Sequence, residues 1–316
     1  MATELNKSDY SVGWICAISI ELAAVLAILD ETHPQLDVAS GDTNVYTFGR
    51  IGRHNVVIAC LPEGRYGITR AGIVAAHMRS TFTRLRFGLM VGVGGGAPSD
   101  KNDIRLGDLV VSQPTGVSGG VVQYDFGKAM ENGEFVRTGS LNAPPSILLS
   151  AVSSINAKNQ ADLGQKISDT AYEVEEADMR FRYPGQDTDR LFCADYNHVG
   201  KGRQSDTCNP CDASKVVSRP ERQHDHPYIH YGIIASGNQV MKDGVKRNII
   251  SAQTGALCFE MEAAGLMDDF PCLVIRGVCD YSDGHKNKRW QPYSALIAAI
   301  YAKELLLQIP TSKSPT

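Results

Sequence analysis

Short β-rich apolar runs alternate along this chain with segments of helical spacing, and only a sheet covered by helices buries both kinds of segment at once. The runs predict strands at residues 12–18, 87–93, 108–113, 232–236 and 273–278, and a strand pair, 44–48 with 55–60, joined across Gly52 and Arg53. Apolar residues at helical spacing predict helices over 21–29 and 69–82 and a long amphipathic C-terminal helix over 293–308. The expected class is α/β, a mixed twisted central sheet flanked by helices. With 316 residues, 43% of them hydrophobic, the chain has material for one large core, or a core with a sizeable insertion.

Residues 173–228 break the rhythm, being polar and rich in charge and proline. They read as an insertion in a single domain spanning 8–309, followed by a frayed tail over 310–316. The insertion carries Cys208-Asn-Pro-Cys211, with His198 before it and His224, His226 and His230 after it. That is enough ligand chemistry for a structural zinc site. No second Cys-x-x-Cys follows at finger-like spacing, which favours a loop with two thiols and solvated histidines.

A net charge of −4 gives no basic footprint for nucleic acid. No apolar run approaches the ~18 residues of a membrane span, and MATELNKSDY lacks the apolar stretch of a signal peptide, so the expected location is cytoplasmic. Eight cysteines are scattered, and Cys16, Cys60, Cys272 and Cys279 fall in apolar segments where a buried thiol is the ordinary reading. A disulfide framework is not expected in that compartment.

Two carboxylates, Glu262 in FEMEAAG (259–265) and Asp280 in VIRGVCDYSD (274–283), are the leading site candidates. The first stretch reads as a helix start, and the second as a strand that releases Asp280 into a loop. Strand ends and helix starts meet in the crevice of an open α/β sheet, where both acids would converge on one small molecule. The competing reading is structural: Glu260 and Glu262 charging a helix N-terminus, Asp280 capping a turn. Alternation places Arg276, Val278 and Asp280 on one face. Arg276 is then either a ligand-site residue or an ion-pair partner of Glu260 or Glu262.

These motifs resemble the purine nucleoside phosphorylase and nucleosidase family, whose members carry an E-M-E-A motif and a downstream R-x-x-[SC]-D. WICAISIELAAV (14–25), MVGVGGGAP (90–98), LGDLVVS (106–112) and ASGNQVM (235–241) follow in family order. HYGIIASGNQVMKDG, CFEMEAAGLM and DYSDGHKNKRWQPY look closer still to the nucleoside-phosphorylase domain that fungi carry alone or at the front of longer chains. The resemblance implies a nucleoside phosphorylase-like fold, no cofactor, and cleavage of a purine N-glycosidic bond. It places Asp280 as the acid that protonates the base, Glu262 at the ribose hydroxyls, Met261 under the sugar, and main-chain groups of Val240 and Met241 at the purine edge. Asp280 would need a raised pKa, supplied by mostly apolar neighbours.

The glycines at 92, 94, 95 and 96 match a dinucleotide fingerprint only in spelling. The next element is the strand LGDLVVS, whereas that fingerprint needs a helix N-terminus at the pyrophosphate. By resemblance, Gly94 and Gly95 instead form pocket backbone. Where phosphorylases place phosphate-binding groups, this chain has Glu21, Met90 and Val93. Glu21 matches the glutamate that activates water in the nucleosidases, which favours hydrolysis over phosphorolysis. A phosphorylase using Arg65 or Arg70 and a purine-sensing module remain as alternatives. Val240 stands where the nucleosidases have an aromatic residue, leaving Tyr196, Tyr231 or Tyr281 to stack on the base. The resemblance also implies a homodimer or higher oligomer, and the apolar faces 73–78 and 296–306 could serve either the core or a partner.

Overall fold

The computed structural model describes residues 5–158, 160–200 and 208–311. Residues 1–4 of the N-terminus, part of the insertion and residues 312–316 of the expected tail lie outside that set. The chain opens with β1 (Val12–Cys16), α1 (Ser19–Ile28), β2 (Glu31–His33), β3 (Tyr46–Ile51), β4 (His54–Cys60), α2 (Ile68–Thr81) and β5 (Phe87–Gly96). It continues with β6 (Leu109–Ser112), β7 (Val121–Gln123), a hairpin of β8 (Gly127–Ala129) and β9 (Phe135–Arg137), α3 (Ser146–Asn156) and α4 (Gln160–Ala177). After the irregular insertion come β10 (Ile229–Ser236), α5 (Gly244–Thr254), β11 (Ala256–Glu260), β12 (Cys272–Asp280) and α6 (Gln291–Gln308).

The main sheet runs β11-β10-β6-β12-β5-β1-β4-β3-β2, with β7 beside β10. It is mixed: β5 pairs in parallel with β1 and β12, whereas β6 lies antiparallel to β12. The expected α/β class holds, and one closure positions everything that follows. β11 pairs with β10 on one side, and through Cys258 and Phe259 it pairs antiparallel with Gly96 and Gly95 of β5 on the other. Strands β5, β12, β6, β10 and β11 thereby form a ring. Val110, Ile234, Cys258, Val274 and Val278 from four of these strands share one apolar cluster, which also takes in α2 residues on that side of the sheet. The opposite face packs against α1, α3, α4 and α6.

Several expectations need correction. FEMEAAG does not begin a helix: Phe259 and Glu260 end β11, and only Ala263–Gly265 make a single 3₁₀ turn. Pairing with β10 and β5 overrides the helical propensity of that stretch. The C-terminal helix is not amphipathic, because Tyr293 through Ala302 are all buried, as are Leu305 and Leu306. Residues 296–302, 305 and 306 therefore serve the core of this chain, and of 73–78 Ile73 and Ala76 are exposed. The glycine run is no loop but the last part of β5. Residues 173–177, expected at the start of the polar segment, continue α4 to Ala177.

The seat of α6 on β12 is tight. The Ser294 hydroxyl donates to Val278 O at 2.9 Å, and a Cβ on Gly277 would stand 1.9 Å from the Ser294 carbonyl oxygen. Backbone cannot retreat as a side-chain tip can, so overpacking here displaces the whole helix. Gly277→Ala is expected to cost about 3 kcal/mol or to prevent folding, read as a drop in urea midpoint against the parent chain.

Candidate active site

The ring encloses one guanidinium and three carboxylates. Arg276, on β12, has no exposed surface, and its Nη2 contacts Glu260 Oε2 closely and lies 3.5 Å from Glu262 Oε2. Its Nη1 lies 3.8 Å from Glu21 Oε1 and donates weakly to Val93 O at 3.4 Å. Of the two roles open to Arg276, the ion pair with Glu260 is thus realised, and Glu262 and Glu21 share the same cation.

Each acid is fixed by main-chain donors. Glu21, in the first turn of α1, accepts from Ala17 N at 2.6 Å and Ile18 N at 3.2 Å, and across the sheet from Val93 N at 2.8 Å. Glu260 accepts from Glu262 N at 3.1 Å and Ala263 N at 3.0 Å, so it caps the 3₁₀ turn that carries Glu262. Glu262 accepts from Gly67 N at 3.3 Å, which ties it to the loop before α2, and from Met261 N at 3.3 Å. Gly92 leaves room for this arrangement, because a Cβ there would lie 2.2 Å from Glu21 Oε1.

One positive charge cannot hold three buried negative ones. Burial, and then the neighbouring Glu260, push the Glu262 carboxyl up to about 8. Burial also raises Glu21, against the pull of Arg276 and three main-chain donors. At neutral pH the cluster therefore retains a proton in the free protein.

Asp280 belongs to a separate group. A register shift in β12 sets Val278 opposite Gly94 but Asp280 opposite Gly95, so strict alternation over Arg276, Val278 and Asp280 fails. A bulge of this kind re-aims a side chain. Asp280 Oδ1 accepts from Ser282 N at 2.8 Å, and Oδ2 lies 3.1 Å from Lys286 Nζ. The mostly apolar neighbourhood expected for Asp280 is thus interrupted by a cation. Burial pulls Lys286 down, but Asp280 outweighs it and holds the ammonium above its ordinary value. Ser282 is buried, has φ of 55°, and its Oγ has no partner. A non-glycine residue in that region stores on the order of 1–3 kcal/mol of strain, a frequent mark of a functional turn.

Asp280 also lines a cavity of about 320 Å³ with Asp187, Cys208, Asp283, His285 and Trp290. The insertion supplies part of its wall and is locked in place by charge. Arg219 pairs with Asp189 at 2.9 Å and donates to the Tyr281 hydroxyl at 2.9 Å, while Arg222 and His230 bind Asp108.

The remaining candidates scatter. A Cβ on Gly94 would meet Cys258 Sγ at 2.4 Å, so this glycine serves close packing, whereas Gly95 faces Asp280 and Ser282. Met261 is half-buried, Val240 is 44% exposed, and Met241 is buried in an apolar cluster with Tyr124 and Phe259. Met90 is buried in the core and Arg65 is exposed. Tyr281 is engaged by Arg219, Tyr231 bonds to Tyr301, and Tyr196 stacks on Phe192. Glu260 was legible as a helix charge or as the ion-pair partner of Arg276, whereas Lys286 was not singled out at all. The turn-rich DYSDGHK that returns Lys286 to Asp280 was the available signal.

This ring-closed mixed sheet is the nucleoside phosphorylase-like fold. Futalosine hydrolase of Helicobacter pylori strain 26695 superposes with a TM-score of 0.58 at 16% identity, over 96% of this chain and 100% of that one. In sequence, the chain is 25% identical over 305 residues to a 5'-methylthioadenosine/S-adenosylhomocysteine nucleosidase of Mycobacterium bovis, covering 95% of this chain and 97% of that protein. It is 49% identical over 305 residues to a nucleotide-binding leucine-rich repeat (NLR)-like protein of Hyaloscypha variabilis, covering 96% of this chain but only 30% of that protein's length. The family-level resemblance read from the motifs is supported by these relatives. No protein-family model matches the chain.

The raised Glu262 carboxyl fixes a pH dependence of stability. A carboxyl whose folded pKa lies above its unfolded value of 4.5 adds stability that is fully present below 4.5 and is lost as pH rises through about 8. Glu262→Gln, which carries no ionisable proton, is expected to gain stability relative to the parent between pH 5 and about 8. Urea midpoints for both chains across that range check this; parallel curves would place the retained proton elsewhere.

Proposed function

We propose that this chain is a purine nucleosidase that hydrolyses the N-glycosidic bond of purine ribonucleosides such as adenosine, inosine or guanosine to free base and ribose. The observation that carries the reading is the committed state of Arg276: its guanidinium already faces Glu21, Glu260 and Glu262. A phosphate dianion brought to that cluster would meet net negative charge, whereas water suits it.

In this reading Glu21, once ionised, takes a proton from water as its oxygen bonds to the anomeric carbon. The glycosidic C–N bond breaks, its electron pair goes to the base, and Asp280 delivers a proton to the purine ring. Lys286, 3.1 Å from Asp280, holds the carboxyl in place, and Asp280 takes its proton back from solvent once the base has left. Glu262, ionised on binding, accepts from the ribose hydroxyls and favours the developing positive charge on the sugar. Met261, Gly95 and the main chain at Val240 and Met241 complete the pocket, with Gly94 behind it. The exposed Val240 leaves base stacking weak, so substrate choice rests on hydrogen bonds.

We further infer a single domain over 8–309 with a cytoplasmic location and a homo-oligomeric state; no helix among the described residues is long and apolar enough to cross a membrane. A second reading, a purine-sensing module of a longer signalling protein, draws on the NLR-like relative, of which this chain spans 30%. Retention of both Glu262 and Asp280 favours catalysis over mere binding.

The test is release of free base from a purine nucleoside panel in phosphate-free buffer. The parent chain is expected to turn over, and Asp280→Asn to lose at least ~10²-fold in kcat with an unchanged circular dichroism spectrum. Binding of nucleoside by calorimetry without any base release would replace the enzyme by the sensor.

A further inference from the structure

The Cys-Asn-Pro-Cys motif of the insertion has no part in that chemistry. The ligand atoms of His198, Cys208 and Cys211 all lie within 4.8 Å of one another. The other histidines of the motif's surroundings go elsewhere: His230 binds Asp108 at 2.9 Å, and His224 stacks between His226 and Tyr228. A tight turn, closed by Cys211 N donating to Cys208 O at 3.2 Å, brings the two sulfurs to one side. His198 Nε2 is buried with no partner. We propose that His198, Cys208 and Cys211 form a structural zinc site.

Coordination distances agree with this set. Tetrahedral zinc with Zn–S near ~2.3 Å and Zn–N near ~2.0 Å places its ligand atoms roughly 3.5–3.8 Å apart, so rotamer adjustments of about 1 Å close the cluster on the ion. Two thiolates and one imidazole neutralise a divalent cation, so the loaded site adds no net charge. The surroundings are built and partly dry. His285, itself 7% exposed, stacks on Phe192 at 4.1 Å and meets the His198 ring edge-on at 5.4 Å. Cys208 Sγ lies 3.8 Å from His285 O, and the Tyr196 hydroxyl accepts from Asp212 N next to Cys211. His285 has both ring nitrogens buried without a hydrogen bond, with Nδ1 3.6 Å from Asp283 Oδ1, and the fourth position on the ion is left to water.

The consequence is structural. Zinc held by two separated parts of the insertion, against the turn that bears His285 and Lys286, fastens the wall of the cavity that Asp280 lines. A C-x-x-C without a second pair is incomplete as a finger, but the fold brings His198 to it as a third ligand.

The experiment reads metal content and not activity, so its outcome is separable from the nucleosidase reading. The tag-free chain, reduced, dialysed against zinc sulfate and desalted, is expected to hold about one zinc per chain by elemental analysis. Cobalt in place of zinc is expected to show thiolate-to-metal charge-transfer absorption. Cys208→Ser/Cys211→Ser should lose at least ~10-fold of the bound zinc and show no such absorption, and a chelator should lower the melting temperature of the parent but not of the variant. A reduced parent chain that takes up no zinc, or a double variant that keeps a full equivalent, would overturn the proposal. Should the variant fail to fold, the cobalt spectrum of the parent decides alone: thiolate absorption supports the site and its absence refutes it.

Discussion

A single buried guanidinium organises this molecule. Arg276 takes its place on β12 between Val274 and Val278, where an apolar side chain would be the ordinary occupant, and draws Glu260 from β11, Glu262 from the following turn and Glu21 from α1. Each acid in turn engages another element: Glu21 the Val93 amide of β5, Glu262 the Gly67 amide before α2. Replacing such a network by apolar residues of similar shape is often neutral for stability, whereas removing its one cation strands the acids at a cost of several kcal/mol. Its presence in the ring interior therefore speaks for chemistry more than for stability.

The second centre, Asp280 with Lys286, lies beyond the bulge that ends β12 and depends on the insertion. Arg219, Asp189 and Tyr281 form one hydrogen-bonded chain, Arg222 and Asp108 another, and both press the insertion onto the strand end that carries Asp280. The insertion is thus a working wall of the molecule, and its charge, which marks it as foreign in the sequence, is the means of its attachment.

Strands and helices with strong periodicity were legible: β1, β4, β5, β10, β12, α1 and α2 fall within a few residues of their expected ranges. Failures have physical causes. FEMEAAG has helical composition, but hydrogen bonds to β10 and β5, set by residues far along the chain, keep it extended through Glu260. α6 was expected to be amphipathic, yet it is packed on nearly all sides, and its charged Lys303 and Glu304 reach out to Asp30 and Lys166. Helices α3, α4 and α5 went unread, although α3 buries a regular stripe of Leu148, Ala151, Val152 and Ile155. The candidate acids Glu21, Glu262 and Asp280 are all buried, but the structure groups only the first two around Arg276. The bulge after Val278 has no signature in sequence, and it is the bulge that parts Asp280 from Arg276.

The account turns on whether a negatively balanced cluster admits water and refuses phosphate. Phosphorus NMR of the chain acting on a purine nucleoside in phosphate buffer reads the sugar product directly. Unchanged inorganic phosphate while free base and ribose accumulate is the predicted result. Growth of a ribose 1-phosphate resonance in step with base release would contradict it.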